Sequence, residues 1–281
     1  MDDRPTGEYG LSTGIALASS LAAAGLYVFT SDDAVEVRPP GVGPATVRYL
    51  LKVLADAGWI IRLRRGLYAG TGRLPGGVDV PPFVIGTSLV KPSAIAYLSA
   101  LAHHGFTDQI PLVITVITPR KVVVPSMRGA RRTEGRHIWH AAGLDFRYVV
   151  SIPERFSFGI DTIWLDERFR VPITDRERTV LDLFALPRAF GGIGEGLTVL
   201  ERVQGEIDIE RLVEYAIRYD SIALAKRLGW SLEEAGTNPT TLSRLLELPA
   251  SHYSPLDPGR ARRGRYDRRW MIVDNRGEDL A

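Results

Sequence analysis

Arginine is the residue through which this sequence could do chemistry, and one stretch concentrates it. Between Arg38 and Arg73 the basic residues are Arg38, Arg48, Lys52, Arg62, Arg64, Arg65 and Arg73, with Asp56 as the single acid, a local balance of +6 in a chain whose net charge is only +2. Clustering of this kind, rather than net charge, is what attracts a polyanion. A guanidinium bonds phosphate oxygens, and in the major groove of DNA it can grip a guanine edge with two parallel hydrogen bonds. Lysine occurs only at Lys52, Lys91, Lys121 and Lys226, so the position of the arginines carries the argument and their abundance does not.

Other chemistries find little support. The chain has no cysteine, which excludes disulfides, thiolate zinc sites and thiol nucleophiles. His137 and His140 have a metal-ligand spacing only on a helix; their segment reads as a strand, where they face opposite sides, and no third ligand follows. His103 and His104 precede Gly105 at a helix end, where imidazoles interact with the last carbonyls. The run Gly191-Gly192-Ile193-Gly194-Glu195-Gly196 has the glycine density of a phosphate loop, but it follows a helix-like segment and lacks the Walker lysine, so it reads as a flexible helix connector. Asp161, Asp166 and Glu167 are the acids a metal-dependent nuclease would need, without the lysine such sites use; exposed strand-end acids are the expectation. No catalytic residue, cofactor or metal is expected.

The basic stretch must be positioned by the elements around it. Leu11, Ile15, Ala18, Ala22 and Leu26 recur at helical spacing, with Ser12 and Thr13 available as caps. After Tyr27-Val28-Phe29, Thr30 or Ser31 precedes Asp32 and Asp33 as an N-cap with acids in the first turn, and Pro39-Pro40 ends that short helix. Pro44 opens a third helix over 44–57, with Val47, Leu50, Leu51 and Leu54 as its apolar stripe. Trp59 to Leu63 and Leu67 to Ala69 then read as a hairpin turning at Arg64-Arg65-Gly66. Three helices followed by a hairpin is the order of a winged helix-turn-helix.

If the third helix buries its stripe, Thr46, Arg48, Tyr49 and Lys52 lie on its other faces. Arg48 is the expected base-reading side chain, Thr46 offers a hydroxyl or methyl, and Tyr49 and Lys52 reach phosphates. Tyr49 packing over the hairpin is the alternative. Arg62, Arg64 and Arg65 would flank the groove and neutralise phosphates or enter a narrow minor groove, with simple solvation of a hairpin as the bland alternative. Arg38, at the end of the second helix, is a further phosphate contact or a solvated side chain.

Beyond a glycine- and proline-rich linker, the sequence predicts a helix over 92–105 and strands at 112–117, 122–124, 137–139, 146–152 and 160–165. Helical periods follow near 180–184, 197–203, 209–217, 222–228 and 242–246. The tail 252–281 is read as polar, basic and irregular, with one possible strand at 270–273. The fold class is therefore mixed α/β (α+β): a winged helix-turn-helix over 1–72, a linker over 73–82, and a larger domain of mixed strands and a helical array over 83–281. Basic residues also gather at 120–136 and 260–269, six against one acid in each, as surfaces for an acidic partner or RNA. The acidic, polar start MDDRPTGEYG and the lack of a long apolar run argue against secretion and membrane spanning, and for a cytoplasmic address.

Several strings resemble the AbiEi family of abortive-infection antitoxins over nearly the whole chain. They are Leu63-Arg64-Arg65-Gly66-Leu67-Tyr68, AIAYLSALAHHGF from Ala94 to Phe106, TDRERTVLDL from Thr174 to Leu183, Ala225-Lys226-Arg227-Leu228-Gly229, and the late Tyr253, Leu256-Asp257-Pro258 and Arg269-Trp270. The resemblance implies a transcriptional autorepressor that binds repeats in its own promoter, double-stranded DNA, through the winged helix. It also implies a C-terminal domain that counteracts a nucleotidyltransferase-like toxin. A transcription factor with a ligand-sensing C-terminal domain is the first alternative, and a metal-dependent nuclease the second.

Overall fold

The computed structural model describes residues 7–73, 77–125 and 138–277. The N-terminal elements are α1 (Gly7–Ala23), β1 (Val28–Thr30), α2 (Ser31–Glu36), α3 (Pro44–Asp56), β2 (Ile60–Arg64) and β3 (Leu67–Gly70). Each boundary has a local cause. Thr30 caps α2 in a reciprocal box with Asp33: the Thr30 hydroxyl accepts from the Asp33 amide (3.1 Å), and the Asp33 carboxylate accepts from the Thr30 amide (2.6 Å). Pro44 stands in the first turn of α3, where its missing N–H costs nothing. Gly58, at φ 73°, takes the left-handed step beyond the helix end. Ser12 and Thr13 lie inside α1, which begins earlier than its expected caps.

Val47, Leu50, Leu51 and Leu54 are buried, and they pack with Leu17, Ala18 and Leu21 of α1, Phe29 and Ile60 into one core. Burying each such aliphatic side chain is worth about 1.5–3 kcal/mol before conformational entropy is counted. Two glycines let α1 come close to α3: a Cβ at Gly14 would sit 3.3 Å from Leu54, and one at Gly10 would sit 3.3 Å from Tyr49. The hairpin has a third strand that sequence periodicity did not show. β1 pairs antiparallel with β3, giving the order β1-β3-β2.

The chain continues through α4 (Pro82–Leu89), β4 (Ala94–Ile95), α5 (Tyr97–His103), β5 (Val113–Thr118), β6 (Ile138–Ala141), β7 (Leu144–Val150), α6 (Pro153–Phe156), β8 (Ile160–Trp164) and β9 (Arg170–Thr174). Then come α7 (Arg176–Ala185), a 3-10 turn (Pro187–Phe190), α8 (Ile193–Val203), α9 (Ile209–Arg218), α10 (Ile222–Glu234), α11 (Pro239–Leu246), β10 (Ser254–Pro255), β11 (Arg265–Asp267) and β12 (Ile272–Asp274). This is a mixed α/β fold. The expected helix over 92–105 is a short strand followed by α5, residues 122–124 form no strand, and α4 and β9 are additions. No helix among the described residues is long and apolar enough to cross a membrane.

Contacts group the chain into two units: residues 1–92, 122–148 and 163–171 in one, and 93–121, 149–162 and 172–281 in the other. In the first, the Tyr148 hydroxyl of β7 donates to the Gly86 carbonyl of α4 (2.6 Å), and the Phe169 ring lies 5.2 Å from that of Tyr27. The second of these contacts joins a segment beyond residue 83 to the winged helix.

In the second unit α7 is central, buried from Glu177 to Phe184. Two of its buried polar groups are matched internally: Asp175 caps the helix at the Arg178 amide (2.7 Å), and Arg178 Nε donates to Asp182 Oδ1 at 2.9 Å, each side chain of that pair only 1% exposed, while Asp182 Oδ2 has no hydrogen-bond partner among the described residues. Burial pushes the Asp182 carboxyl up, against the pull of Arg178. Contrary to expectation, residues 254–274 of the tail form a three-stranded sheet β10-β12-β11. Its anchor is Trp270, fully buried against Gly229 of α10, where a Cβ would overlap the indole.

Candidate nucleic-acid interface

α3 and the β2–β3 hairpin, the wing, present the basic side chains. Thr46, Arg48 and Lys52 are exposed on α3, opposite its buried stripe. The wing displays Arg62, Arg64 and Arg65, all exposed. A regular strand alternates its faces, and regular alternation from buried Ile60 would turn Arg62 and Arg64 inward. A register shift between Arg62 and Arg64 prevents this: Ile61 and Arg62 both face out, Leu63 is buried, and Arg64 is exposed again. The irregularity is a bulge that reverses the facing of the strand at the point where the cations stand.

The wing tip is fixed from behind. Gly66 turns at φ 72°, and its carbonyl accepts from the Ser31 amide at the start of α2 (3.1 Å). The hairpin end and the second helix are thereby tied together.

Among the described residues, the side chains of Arg48, Lys52, Arg62, Arg64 and Arg65 make no hydrogen bond or ion pair, so their donors are available to an external acceptor. Arg38 differs. It is exposed, but its Nε donates to the Val42 carbonyl (2.9 Å) and its Nη1 to the Val35 carbonyl, bracing the turn between α2 and α3. Tyr49 is 38% exposed and lies against Gly10 of α1.

The other motifs take structural roles. Gly194 and Gly196 lie within α8, and at its N-terminus the Ile193 amide faces the Asp257 carboxylate (3.4 Å), an acid of the chain itself where a phosphate would bind. His104 Nε2 contacts the Thr174 carbonyl (2.8 Å). Asp166 accepts from the Arg168 and Phe169 amides and closes a turn. His140 pairs with Asp145 on the β6–β7 hairpin, while His137 lies outside the described residues, as do Arg128, Arg131, Arg132, Glu134 and Arg136 of the basic stretch 120–136. No group of three or more His, Asp or Glu side chains among the described residues could hold a metal ion. Arg178, Lys226 and Arg227, carriers of the sequence resemblance, are interior residues. Lys226 Nζ donates to the Leu245 and Leu246 carbonyls that end α11, and Arg227 donates to those of Leu256 and Phe184.

Two features of the interface escaped the sequence reading. The bulge had a trace in the sequence, since Ile60 beside Ile61 breaks polar–apolar alternation. The tie between Ser31 and Gly66 had none, because a backbone bond across 35 residues leaves no mark on side-chain type.

No curated protein matches this sequence. Among solved structures, the crystal structure of the RV2827C protein from Mycobacterium tuberculosis is similar in fold, with a TM-score of 0.62 at 15% identity, over 95% of this chain and 91% of that one. Residues 17–69, from the middle of α1 to β3 and including every cation of the interface, match the family described as transcriptional regulator, AbiEi antitoxin.

Proposed function

We propose that this protein is a cytoplasmic DNA-binding antitoxin that represses its own operon. In this reading residues 1–72 dock on promoter repeats, and residues 83–281 counteract a nucleotidyltransferase-like toxin. α3 enters the major groove, where Arg48 reads a base edge beside Thr46, and Lys52 and Tyr49 approach phosphates. Arg62, Arg64 and Arg65 hold the flanking backbone, with Arg38 bracing the turn that sets the angle of α3. The observation that carries this reading is the bulged wing, which turns Arg62 and Arg64 outward beside an exposed, basic α3. The family match over 17–69 supports the same assignment.

The test is a gel-shift titration of the full chain against DNA from upstream of its own gene, with excess nonspecific competitor, at two salt concentrations. Competitor-resistant binding that weakens with salt is expected. Absence of a shift, or cleavage of the probe on adding Mg²⁺, overturns the proposal. Rescue of cell growth from a co-expressed neighbouring toxin tests the second half.

A further inference from the structure

The ordered tail carries a second basic surface, in the unit that does not contain the wing. Arg260, Arg262, Arg263, Arg265, Arg268 and Arg269 are all exposed around β11, an outer strand of the tail sheet, with Asp267 the single acid of the stretch. Three of them are engaged: Arg260 donates to the Arg276 carbonyl, Arg262 to that of Tyr253, and Arg269 pairs with Glu233 (3.0 Å). The side chains of Arg263 and Arg268 make no hydrogen bond or ion pair among the described residues, while Arg265 lies opposite Asp274 of β12 and interacts with its carboxylate. Beside them stands Tyr266, 59% exposed, its ring held at 82° to that of Tyr253 with centroids 4.9 Å apart. The platform is fixed: Trp270 is buried, and its amide bonds Asp267 (2.9 Å).

We propose that the β11 edge binds an unpaired nucleic-acid strand, with Tyr266 stacking on a base and Arg263 and Arg268, which flank the strand, meeting its phosphates; Arg265, next to Tyr266 on β11, takes the opposite face. An exposed, buttressed aromatic among unpaired guanidiniums is the pairing of groups that holds single strands. A duplex keeps its base faces stacked inside, so the ring favours the unpaired strand, while the arginines alone would accept either. An acidic protein surface would match the charge but would leave the tyrosine face without a planar partner.

Fluorescence anisotropy on the full chain carrying Arg48→Ala, Arg62→Ala, Arg64→Ala and Arg65→Ala separates this edge from the wing. The probes are labelled mixed-sequence RNA and DNA single strands of about 12 nucleotides, and the duplex of the same length. That protein is expected to bind the strands more tightly than the duplex. Adding Tyr266→Ala should weaken strand binding on the order of tenfold, with Tyr266→Phe restoring it. Replacing Arg263 and Arg268 with alanine should flatten the salt dependence, while circular dichroism shows the fold retained. Strand binding no tighter than duplex binding, or equal affinity for the Tyr266→Ala and Tyr266→Phe proteins, overturns the proposal and leaves the arginines to an acidic protein partner.

Discussion

Arg64 and Arg65 stand on the wing without a side-chain partner among the described residues, whereas Arg178 and Arg227 in the second unit are buried and bonded to the chain itself. All four lie in short basic strings, LRRG, RERT and AKRLG, which look alike in sequence. What separates them is the neighbourhood each helix or strand supplies. On β2 a bulge keeps the cations in solvent, where a ligand can take them. On α7 and α10 the cations are enclosed by carbonyls and a carboxylate, and burial brings the Arg227 pKa down to about 10. A basic residue is a binding residue only where the fold leaves its donors unused.

Changes at the enclosed cations should damage the fold, and changes at the open ones should damage only binding. The largest effect is expected for Asp182→Ala, which strands a buried guanidinium; urea denaturation should show a loss of about 3–5 kcal/mol. A double replacement, Arg178→Met with Asp182→Leu, should cost less than the single one. A loss below about 1 kcal/mol for Asp182→Ala would mean that water reaches the pair and that the contrast between the units is overstated.

Gly229→Ala comes next, since the new methyl must displace Trp270; about 1–3 kcal/mol should be lost in the same measurement. An unchanged midpoint would show that the tail sheet moves freely on α10. On the open side, Arg48→Ala should leave the midpoint within about 0.5 kcal/mol of wild type and weaken a specific DNA site by about 1–3 kcal/mol. Arg64→Ala should weaken all sequences alike and lower the salt slope by about one. Equal, sequence-blind losses from both would erase the distinction between helix and wing.

The smallest effect is a pH slope. Burial pushes the Tyr148 hydroxyl, bonded to the Gly86 carbonyl, above the ordinary tyrosine range. With the folded value above the unfolded one of about 10, its contribution is complete below that pH and is lost as pH rises through the folded value. Denaturation midpoints of Tyr148→Phe should therefore fall less steeply above about pH 10 than those of wild type. Parallel slopes would place that hydroxyl in contact with water.

The winged helix was legible because its determinants are local: a capping residue, a proline at a helix start, and an apolar stripe at 47, 50, 51 and 54 with polar faces around it. β1 escaped because three residues carry too little period, and α4 because it follows directly on a proline- and glycine-rich run. α7 shows no stripe, being buried on every side, so the burial of Arg178 could not be read from spacing. The tail looked irregular because its order rests on distant partners. Trp270 needs Gly229, and the Asn275 side chain closes a loop by accepting from the Asp257 amide and donating to its carbonyl. Of the interface, residue identities and the exposed face of α3 were legible; the bulge that directs Arg62 outward, the fixed wing tip and the use of Arg38 as a brace were not.

The bulge in β2 also makes the wing sensitive to chain length in a way that residue identity does not capture. Arginine could be exchanged for lysine along that strand and the positive surface would persist. Inserting one more residue between Arg62 and Leu63 would instead push Leu63 into water and turn Arg64 against the core, whereas removing Ile61 or Arg62 would give strict alternation with Leu63 still buried and Arg64 still exposed. For this surface, an inserted residue beyond the bulge is a more drastic event than any conservative exchange, and sequence drift in this segment should favour replacement over insertion.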